Sequence, residues 1–214
     1  MIDSVKRFKL ENFADEIASE VDLTPAIWRA FASVDREIFV PQGFRHWAYR
    51  LDALPIKADQ WISSPLTVAR MTAYLQPDRA DKVLEIGCGS GYQAAILSKI
   101  VRRVFTIERI ESLLKEARAR FRALDIHNIH TRLDDGQRGW RQYAPYDRIL
   151  LSASIPEVPE TLFDQLADGG ILVAPIEENG RQVITRFTKE GDTLSRSAME
   201  SCLFVPVKDG TELA

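Results

Sequence analysis

The chain has 214 residues, 45% of them hydrophobic and 28% charged, which is the composition of a globular protein with one well-buried α/β core. A net charge of −3 gives no overall attraction to nucleic acid or anionic lipid, so we expect neither partner. Two cysteines and three histidines, without metal-ligand spacing, favour a reduced, cytoplasmic protein with no metal site. No apolar run approaches a bilayer span, and the N-terminus lacks a signal-peptide core, so we expect no membrane association.

The first third of the chain predicts helices around one long irregular segment. Apolar residues at helical spacing predict a helix over residues 5–20, and Thr24 followed by Pro25 predicts the capped start of a second. Residues 36–66 are rich in turn formers, and a loop of this length in a compact domain is usually functional. Pro65 predicts the start of a third helix. We therefore expect residues 1–78 to form N-terminal helices and a functional loop.

From residue 79 onward the pattern alternates between strands and helices. The predicted strands are 83–86, 103–108, 128–133, 148–153 and 171–176, with helical stretches between them. Because the strands are nearly continuous apolar runs, they predict a doubly wound, mostly parallel sheet with helices on both faces. RQVITRF and CLFVPV predict a late antiparallel pair. Residues 79–214 would thus form an α/β core, within one compact domain overall.

The stretch VLEIGCGSGY at residues 83–92 predicts a ligand site. A strand, a glycine-rich turn and a helix place backbone N–H groups beside the carboxyl end of the sheet, where doubly wound folds bind nucleotides. Gly87, Gly89 and Gly91 let the backbone approach a ligand closely. A dinucleotide fingerprint favours glycine or alanine where Tyr92 stands, so an NAD-dependent enzyme is disfavoured but stays open.

Acidic residues around this loop indicate the ligand. Glu108 ends the second strand, which is the expected place for an acid that binds ribose hydroxyls. Glu85 lies inside the first strand, where a carboxylate is costly unless a cationic ligand group or loop N–H groups pair with it. Asp135 and Gly136 follow the third strand, and Cys88, without a paired histidine, is interpreted as a packing residue. Together these features resemble the S-adenosylmethionine loop of class I methyltransferases.

The residues after the fourth strand indicate the acceptor of the methyl group. Enzymes that methylate planar amino groups commonly have an Asn/Asp-Pro-Pro-aromatic turn there, whereas this chain has LLSASIPEVP. No Pro-Cys nucleophile for pyrimidine chemistry is evident, which favours an oxygen acceptor. A carboxylate is already ionised at neutral pH and needs no general base. That suits a chain without a histidine-based catalytic pair.

A resemblance to a known family then covers the chain from about residue 34 to its end. The segments that carry it are REIFVPQGFRHWAY, LPI, QWISSP, VLEIGCGSGYQAAILSKIV, RVFTIERI, DDGQRGWRQYAPYDRILLSASIPEVPETLFDQLADGGILVAPI and FVPV. Through them the chain resembles the protein-L-isoaspartate (D-aspartate) O-methyltransferases. The resemblance implies a monomeric enzyme with a Rossmann-like class I fold. Its cofactor would be S-adenosyl-L-methionine, and its substrates would be proteins or peptides that contain isoaspartyl or D-aspartyl residues.

The resemblance also implies roles for individual residues. Ser63 matches the family's active-site serine, whose hydroxyl would orient the acceptor carboxylate or the donor; the alternative is that it caps the helix that starts at Pro65. The expected donor-site residues are Glu85, Gly87, Cys88, Gly89, Gly91, Glu108, Arg109, Asp134, Asp135 and Gly136. The expected acceptor-side residues are Lys57, Gln60, Trp61, Ile62, Ser152, Ala153 and Glu177.

Five positions depart from the family's usual pattern. Lys57 and Asp59 stand where the family has glycines, Trp61 replaces a threonine, and Glu177 replaces the glycine of Pro-Val-Gly. Asp134 also stands where glycine is common. Because most of these changes fall in loops around the acceptor, we hypothesise an acceptor that differs from, or is narrower than, an isoaspartyl peptide. The alternatives are a relative that methylates another carboxylate and a donor-binding protein without turnover.

Overall fold

Three helices and a short hairpin precede the central sheet in the structure, a computed structural model that describes residues 4–213. Residues 1–3 and 214, at the outer ends of the two predicted segments, lie outside the described residues. The elements are α1 (Ser4–Glu20), α2 (Pro25–Phe31), β1 (Leu54–Pro55), β2 (Trp61–Ile62) and α3 (Pro65–Leu75). The predicted cap of α2 is confirmed, since the Thr24 side chain accepts a hydrogen bond from the Ile27 N–H. Within residues 4–213, no helix combines the length and the apolar character that a bilayer crossing needs.

The segment predicted to be irregular, residues 36–66, has a defined shape. It begins with two short 3₁₀ helices, Arg36–Phe39 and Gln42–Trp47, and continues into the antiparallel pair of β1 and β2. The turn between these strands holds Ala58 and Asp59 at φ of 57° and 52°. These are left-handed conformations that glycine adopts more easily than other residues. Asp59 therefore keeps a backbone shape suited to the glycine that the family has there.

The central sheet contains seven strands in the order β5-β4-β3-β6-β7-β8-β9. Its strands and helices are β3 (Lys82–Ile86), α4 (Tyr92–Ser98), β4 (Arg103–Glu108), α5 (Glu111–Ala123), β5 (Ile129–Leu133), β6 (Tyr146–Leu151), α6 (Glu160–Asp164), β7 (Leu166–Glu178), β8 (Arg181–Glu190) and β9 (Thr193–Cys202). Strands β3 to β7 run parallel, and β8 and β9 are antiparallel. The predicted doubly wound fold is confirmed, and the carboxyl ends of the parallel strands meet at one edge.

Apolar side chains of the strands alternate between two core clusters, one on each face of the sheet. In β3, Val83 belongs to the cluster that also contains residues of α1 to α4, whereas Leu84 belongs to the cluster that contains Leu162 of α6. The N-terminal helices therefore share a core with the sheet. The predicted division near residue 78 stays a prediction.

The prediction for the last strand is wrong. β9 pairs with β8 through a tight turn, whereas CLFVPV had been expected to form that strand. The reason is that β9 is mostly exposed and therefore polar, so its sequence lacks the apolar pattern of a buried strand. The tail after it, residues 203–213, runs across the carboxyl edge of the sheet instead. The Ser154 N–H donates to the Val205 carbonyl, and the Val207 N–H donates to the Ser154 carbonyl.

Candidate functional site

A cleft with about 1020 Å³ of empty space, part of it open to solvent, lies at the carboxyl ends of the parallel strands. Ligand sites of doubly wound folds are found at this edge. Many of the residues predicted for the donor site and for the acceptor side line the walls of this cleft. These are Gln60, Trp61, Ile62, Ser63, Gly87, Cys88, Gly89, Glu108, Arg109, Gly136, Ser152 and Ala153.

The glycine loop between β3 and α4 forms the floor of the cleft. Gly87, Gly89 and Gly91 all have positive φ. A Cβ at Gly91 would lie 2.7 Å from the ring of Phe121, so no side chain fits there. The N–H groups of Gly87 and Cys88 both donate to the Ile107 carbonyl, which fastens the start of the loop to β4. Gly91 does not line the cleft itself but sets the shape of the loop that does.

Glu108 lies in the wall at the end of β4. Its Oε2 accepts from the Gly89 N–H at 2.7 Å, and its Oε1 accepts from the Ile110 N–H at 2.9 Å. Burial raises the pKa of this carboxyl above its ordinary value, although these N–H groups oppose the shift. Carboxylate oxygens held in place at the end of β4 can accept hydrogen bonds from the ribose hydroxyls of a nucleoside.

Glu85 lies beneath the cleft rather than in its wall, because the side chain is completely buried in β3. Its Oε2 accepts from the Thr106 hydroxyl, and its Oε1 has no hydrogen-bond partner among the described residues. Burial raises the pKa of Glu85 to about 8. Of the two alternatives given for its partner, a cationic ligand group or the loop N–H groups, the loop N–H groups do not bond to it. An unpartnered buried oxygen next to the glycine loop fits a cofactor that carries positive charge, such as a sulfonium with an ammonium group.

Asp134 and Asp135 do not line the cleft, although Gly136 does. Asp135 accepts from the Gln137 N–H and, through its second oxygen, from the Gly210 N–H at 3.1 Å. Asp134 forms an ion pair with Arg132. These acids therefore hold the wall and the tail in place. A Cβ at Gly136 would lie 2.3 Å from Ile86, so this wall requires glycine.

Ser63 also lines the cleft. The side chain is half-buried, and its hydroxyl has no hydrogen-bond partner among residues 4–213. The alternative interpretation, that Ser63 caps α3, is wrong because Ser64 is the cap. Ser64 Oγ accepts from the Thr67 N–H at 3.1 Å. Ser63 is therefore free to bind a ligand.

Two residues predicted on the acceptor side lie elsewhere. Lys57 is exposed and pairs with Glu116 of α5 at 2.5 Å, which ties the β1–β2 turn to that helix. Glu177 lies outside the cleft, and its Oε1 accepts from the Ser154 hydroxyl. The prediction that Glu177 lies on the acceptor side of the cleft is therefore corrected. The physical reason is that the Glu177 side chain, near the end of β7, bonds to Ser154, which does not line the cleft either.

Cys88 lines the cleft but lacks the properties of a nucleophile. Its side chain is 4% exposed, and burial raises the pKa of the thiol well above its ordinary value. The neighbouring carboxyls Glu85 and Glu108 raise that pKa further. Because the thiolate is the reactive form, this cysteine packs the loop rather than reacting.

Sequence reasoning missed the contribution of the tail, whose residues 204–208 line the cleft. The side-chain amide of Gln182 holds Phe204, since its Nε2 donates to the Phe204 carbonyl and its Oε1 accepts from the Phe204 N–H. At the other end, Glu212 pairs with Arg109 through both side chain and backbone. FVPV was among the segments of the resemblance, but as a presumed strand it gave no sign of this position.

Comparison with known proteins finds relatives that share one description. A relative from Helicobacter pylori (strain J99 / ATCC 700824), a protein-L-isoaspartate O-methyltransferase, is 57% identical over 199 residues, which cover 92% of this chain and 95% of the relative. A relative of the same description from Maricaulis maris is 48% identical over 85% of each chain.

Two solved structures share the fold. A protein-L-isoaspartate O-methyltransferase superimposes with a TM-score of 0.85 at 27% identity, over 94% of this chain and 66% of the other. A putative enzyme of that description from Plasmodium falciparum, in complex with S-adenosyl-L-homocysteine, has a TM-score of 0.80 at 22% identity, over 93% and 98%. The sequence model of one family matches residues 9–212. The chain therefore belongs to the protein-L-isoaspartate (D-aspartate) O-methyltransferase family.

Proposed function

We propose that this protein is an S-adenosyl-L-methionine-dependent carboxyl O-methyltransferase that methylates L-isoaspartyl and D-aspartyl residues of damaged proteins. Ser63 carries the proposal, because this residue, whose hydroxyl has no hydrogen-bond partner among residues 4–213, lines the same cleft as the glycine loop and Glu108. One cleft therefore offers a donor side and an acceptor side. The relatives described as isoaspartyl methyltransferases, at 57% and 48% identity, support the acceptor class.

The proposed donor side matches the chemistry of the cofactor. Glu108 would accept from the ribose hydroxyls, and the glycine loop would let the backbone approach the methionine portion. Glu85 would supply negative charge beneath that portion once it ionises. The bound donor supplies a methyl group on a positively charged sulfur, and transfer to a carboxylate oxygen leaves a neutral thioether and a neutral ester.

The proposed acceptor side needs to orient the carboxylate rather than deprotonate it. An isoaspartyl carboxyl is already ionised at neutral pH, so no general base is required. The Ser63 hydroxyl would donate to one carboxylate oxygen and leave the other in line with the methyl group. Holding the two reactants in that geometry, away from water, is the main catalytic contribution.

The positions of the departing residues weaken the hypothesis that the acceptor differs from an isoaspartyl peptide. Of Lys57, Asp59, Trp61 and Glu177, the sequence departures on the acceptor side, Trp61 alone lines the cleft. Its side chain is 55% exposed, so it stands at the mouth rather than beside the reacting carboxylate. We therefore expect Trp61 to contact residues next to the isoaspartyl residue and to leave the reacting group unchanged.

The test is a tritiated-methyl assay on an isoaspartyl peptide beside its aspartyl counterpart. Isoaspartyl-selective turnover is expected, and Ser63→Ala should lower kcat/KM by about 10- to 100-fold without loss of thermal stability. Ser64→Ala is the matched control, because it removes the cap of α3 and should cost about 1 kcal/mol of stability with little effect on turnover. Donor binding without turnover on either peptide would contradict the proposal.

We further propose that the protein acts as a monomer in the cytoplasm. Both cysteines are free, and Cys88 is buried, which suits a reducing compartment. Light scattering coupled to size-exclusion chromatography tests the oligomeric state. A mass near twice that of the 24.3 kDa chain would contradict the monomer.

A further inference from the structure

Arg36 is a completely buried arginine whose guanidinium bonds to backbone carbonyls instead of a carboxylate. Its Nη1 donates to the Ala48 carbonyl at 2.7 Å and to the Arg50 carbonyl at 3.4 Å. Its Nη2 donates to the Asp52 carbonyl at 3.0 Å and to the Ser63 carbonyl at 3.1 Å. Across residues 4–213, Arg36 takes part in no ion pair with an acid. A buried cation of this kind is costly, and the four carbonyl dipoles are what offset the cost.

All four carbonyls belong to one stretch of the chain, residues 48–63. This stretch leaves the N-terminal helices at Ala48 and ends at Ser63, in the cleft wall directly before α3. The Arg36 side chain therefore fastens the beginning and the end of residues 48–63 to the same point. The guanidinium also lies over the ring of Tyr92, at 5.9 Å, and Tyr92 is itself part of the cleft.

The backbone of Ser63 is anchored by Arg36, whereas its hydroxyl is not anchored by any described residue. No described residue bonds to the hydroxyl, so no partner of its own fixes the side chain. Its carbonyl, in contrast, is held by Arg36. The guanidinium of an arginine is planar and carries several N–H donors, so it can bond to carbonyls on two sides. The single ammonium of a lysine cannot do this.

We propose that Arg36 is a positioning residue for the methyl transfer, which holds the Ser63 backbone so that the hydroxyl meets the acceptor carboxylate. This role rests on the proposed function of the cleft. Because a displacement of about 1 Å in a positioning group costs up to about 100-fold in rate, loss of the anchor should reduce catalysis. Donor binding should persist, because within residues 4–213 no hydrogen bond or ion pair joins Arg36 to Glu108 or to the glycine loop, although Arg36 lies over the ring of Tyr92, which follows that loop.

The test compares Arg36→Lys and Arg36→Met with the wild type. Each variant should lower kcat/KM for an isoaspartyl peptide by about tenfold or more, while the Kd of S-adenosylhomocysteine changes by less than about twofold. Arg148→Met is the matched control. Arg148 is also buried and donates to the carbonyls of Gln76 and Asp147, but at the opposite edge of the sheet. It should lose stability to a similar degree and keep kcat/KM.

A double-mutant cycle with Ser63→Ala separates positioning from general loss of structure. If Arg36 acts through Ser63, the effect of Arg36→Lys on kcat/KM should shrink to less than about threefold once the hydroxyl is gone. A full multiplicative effect in that background would overturn the proposal. So would loss of donor binding in both Arg36 variants, since Arg36 would then support the whole fold. If the wild type fails to methylate the isoaspartyl peptide, the proposed function is wrong as well. If the wild type turns over but Arg36→Lys lowers kcat/KM by the same factor with and without the Ser63 hydroxyl, only the role of Arg36 is wrong.

Discussion

Replacement of Glu85 by glutamine should make the unliganded protein more stable at alkaline pH. The carboxyl is completely buried, and one of its oxygens has no hydrogen-bond partner among residues 4–213. Its pKa of about 8 in the folded protein compares with 4.5 for the exposed group. Between these two values the folded state holds a proton that the unfolded state releases, so stability falls as pH rises.

The size of the effect follows from that difference in pKa. Each pH unit in this interval costs about 1.4 kcal/mol, so the wild type should lose about 3 kcal/mol between about pH 5.5 and about pH 8 because of Glu85. Glutamine is neutral throughout, and its carbonyl can still accept from the Thr106 hydroxyl. The variant should therefore lack this part of the pH dependence. Its affinity for S-adenosylhomocysteine should fall, because the negative charge beneath the cofactor is gone.

Urea unfolding of both proteins at the two pH values measures the effect. Glu116→Gln is the control. The pKa of Glu116 is lowered by its contacts with Lys57 and Arg120, so its stabilising effect persists above about pH 5 and is lost only in more acidic solution. If the stability difference between Glu85→Gln and wild type were the same at both pH values, within about 0.5 kcal/mol, the assignment of a neutral buried acid would be refuted.

Three further outcomes are expected. Gly91→Ala should cost about 1–3 kcal/mol more than Gly180→Ala in urea unfolding, because both glycines have positive φ but an atom added at Gly91 alone collides with a ring. Equal costs would show that the collision is relieved. Trp61→Thr should change KM mainly for isoaspartyl peptides with large apolar neighbours and leave the Kd of S-adenosylhomocysteine unchanged; an equal change for all peptides would contradict a role at the mouth of the cleft. Truncation after Lys208 should weaken S-adenosylhomocysteine binding in calorimetry by about tenfold, since the bonds that Glu212 makes to the cleft wall are lost; unchanged affinity would contradict a supporting tail.

The donor side of the site was predictable because its signals are local. Strand, glycine turn, helix and the acid at residue 108 follow one another within a single βαβ unit, and the chain geometry of that unit fixes where each residue lies. The same pattern did not predict which acid contacts the cleft. Glu85 and Glu108 lie at different depths, because one side chain points into the core and the other stands at the strand's end.

The acceptor side was less predictable because its geometry depends on contacts between distant residues. Lys57 was expected in the cleft, yet it pairs with Glu116 across 59 positions of sequence. The tail segment 204–208 reaches the cleft because Gln182 and Ser154 hold its backbone. A single sequence carries no signal for either contact, since each joins ordinary polar residues in separate segments.

Donor binding and acceptor orientation thus depend on separate supports. Glu108 and the glycine loop are held by the backbone of β4, whereas Ser63 is held by Arg36 from the N-terminal helices. The residues held by these two supports line the same cleft, but within residues 4–213 no hydrogen bond links Arg36 to the glycine loop. Substitutions on one side should therefore change the kinetic constants of one substrate.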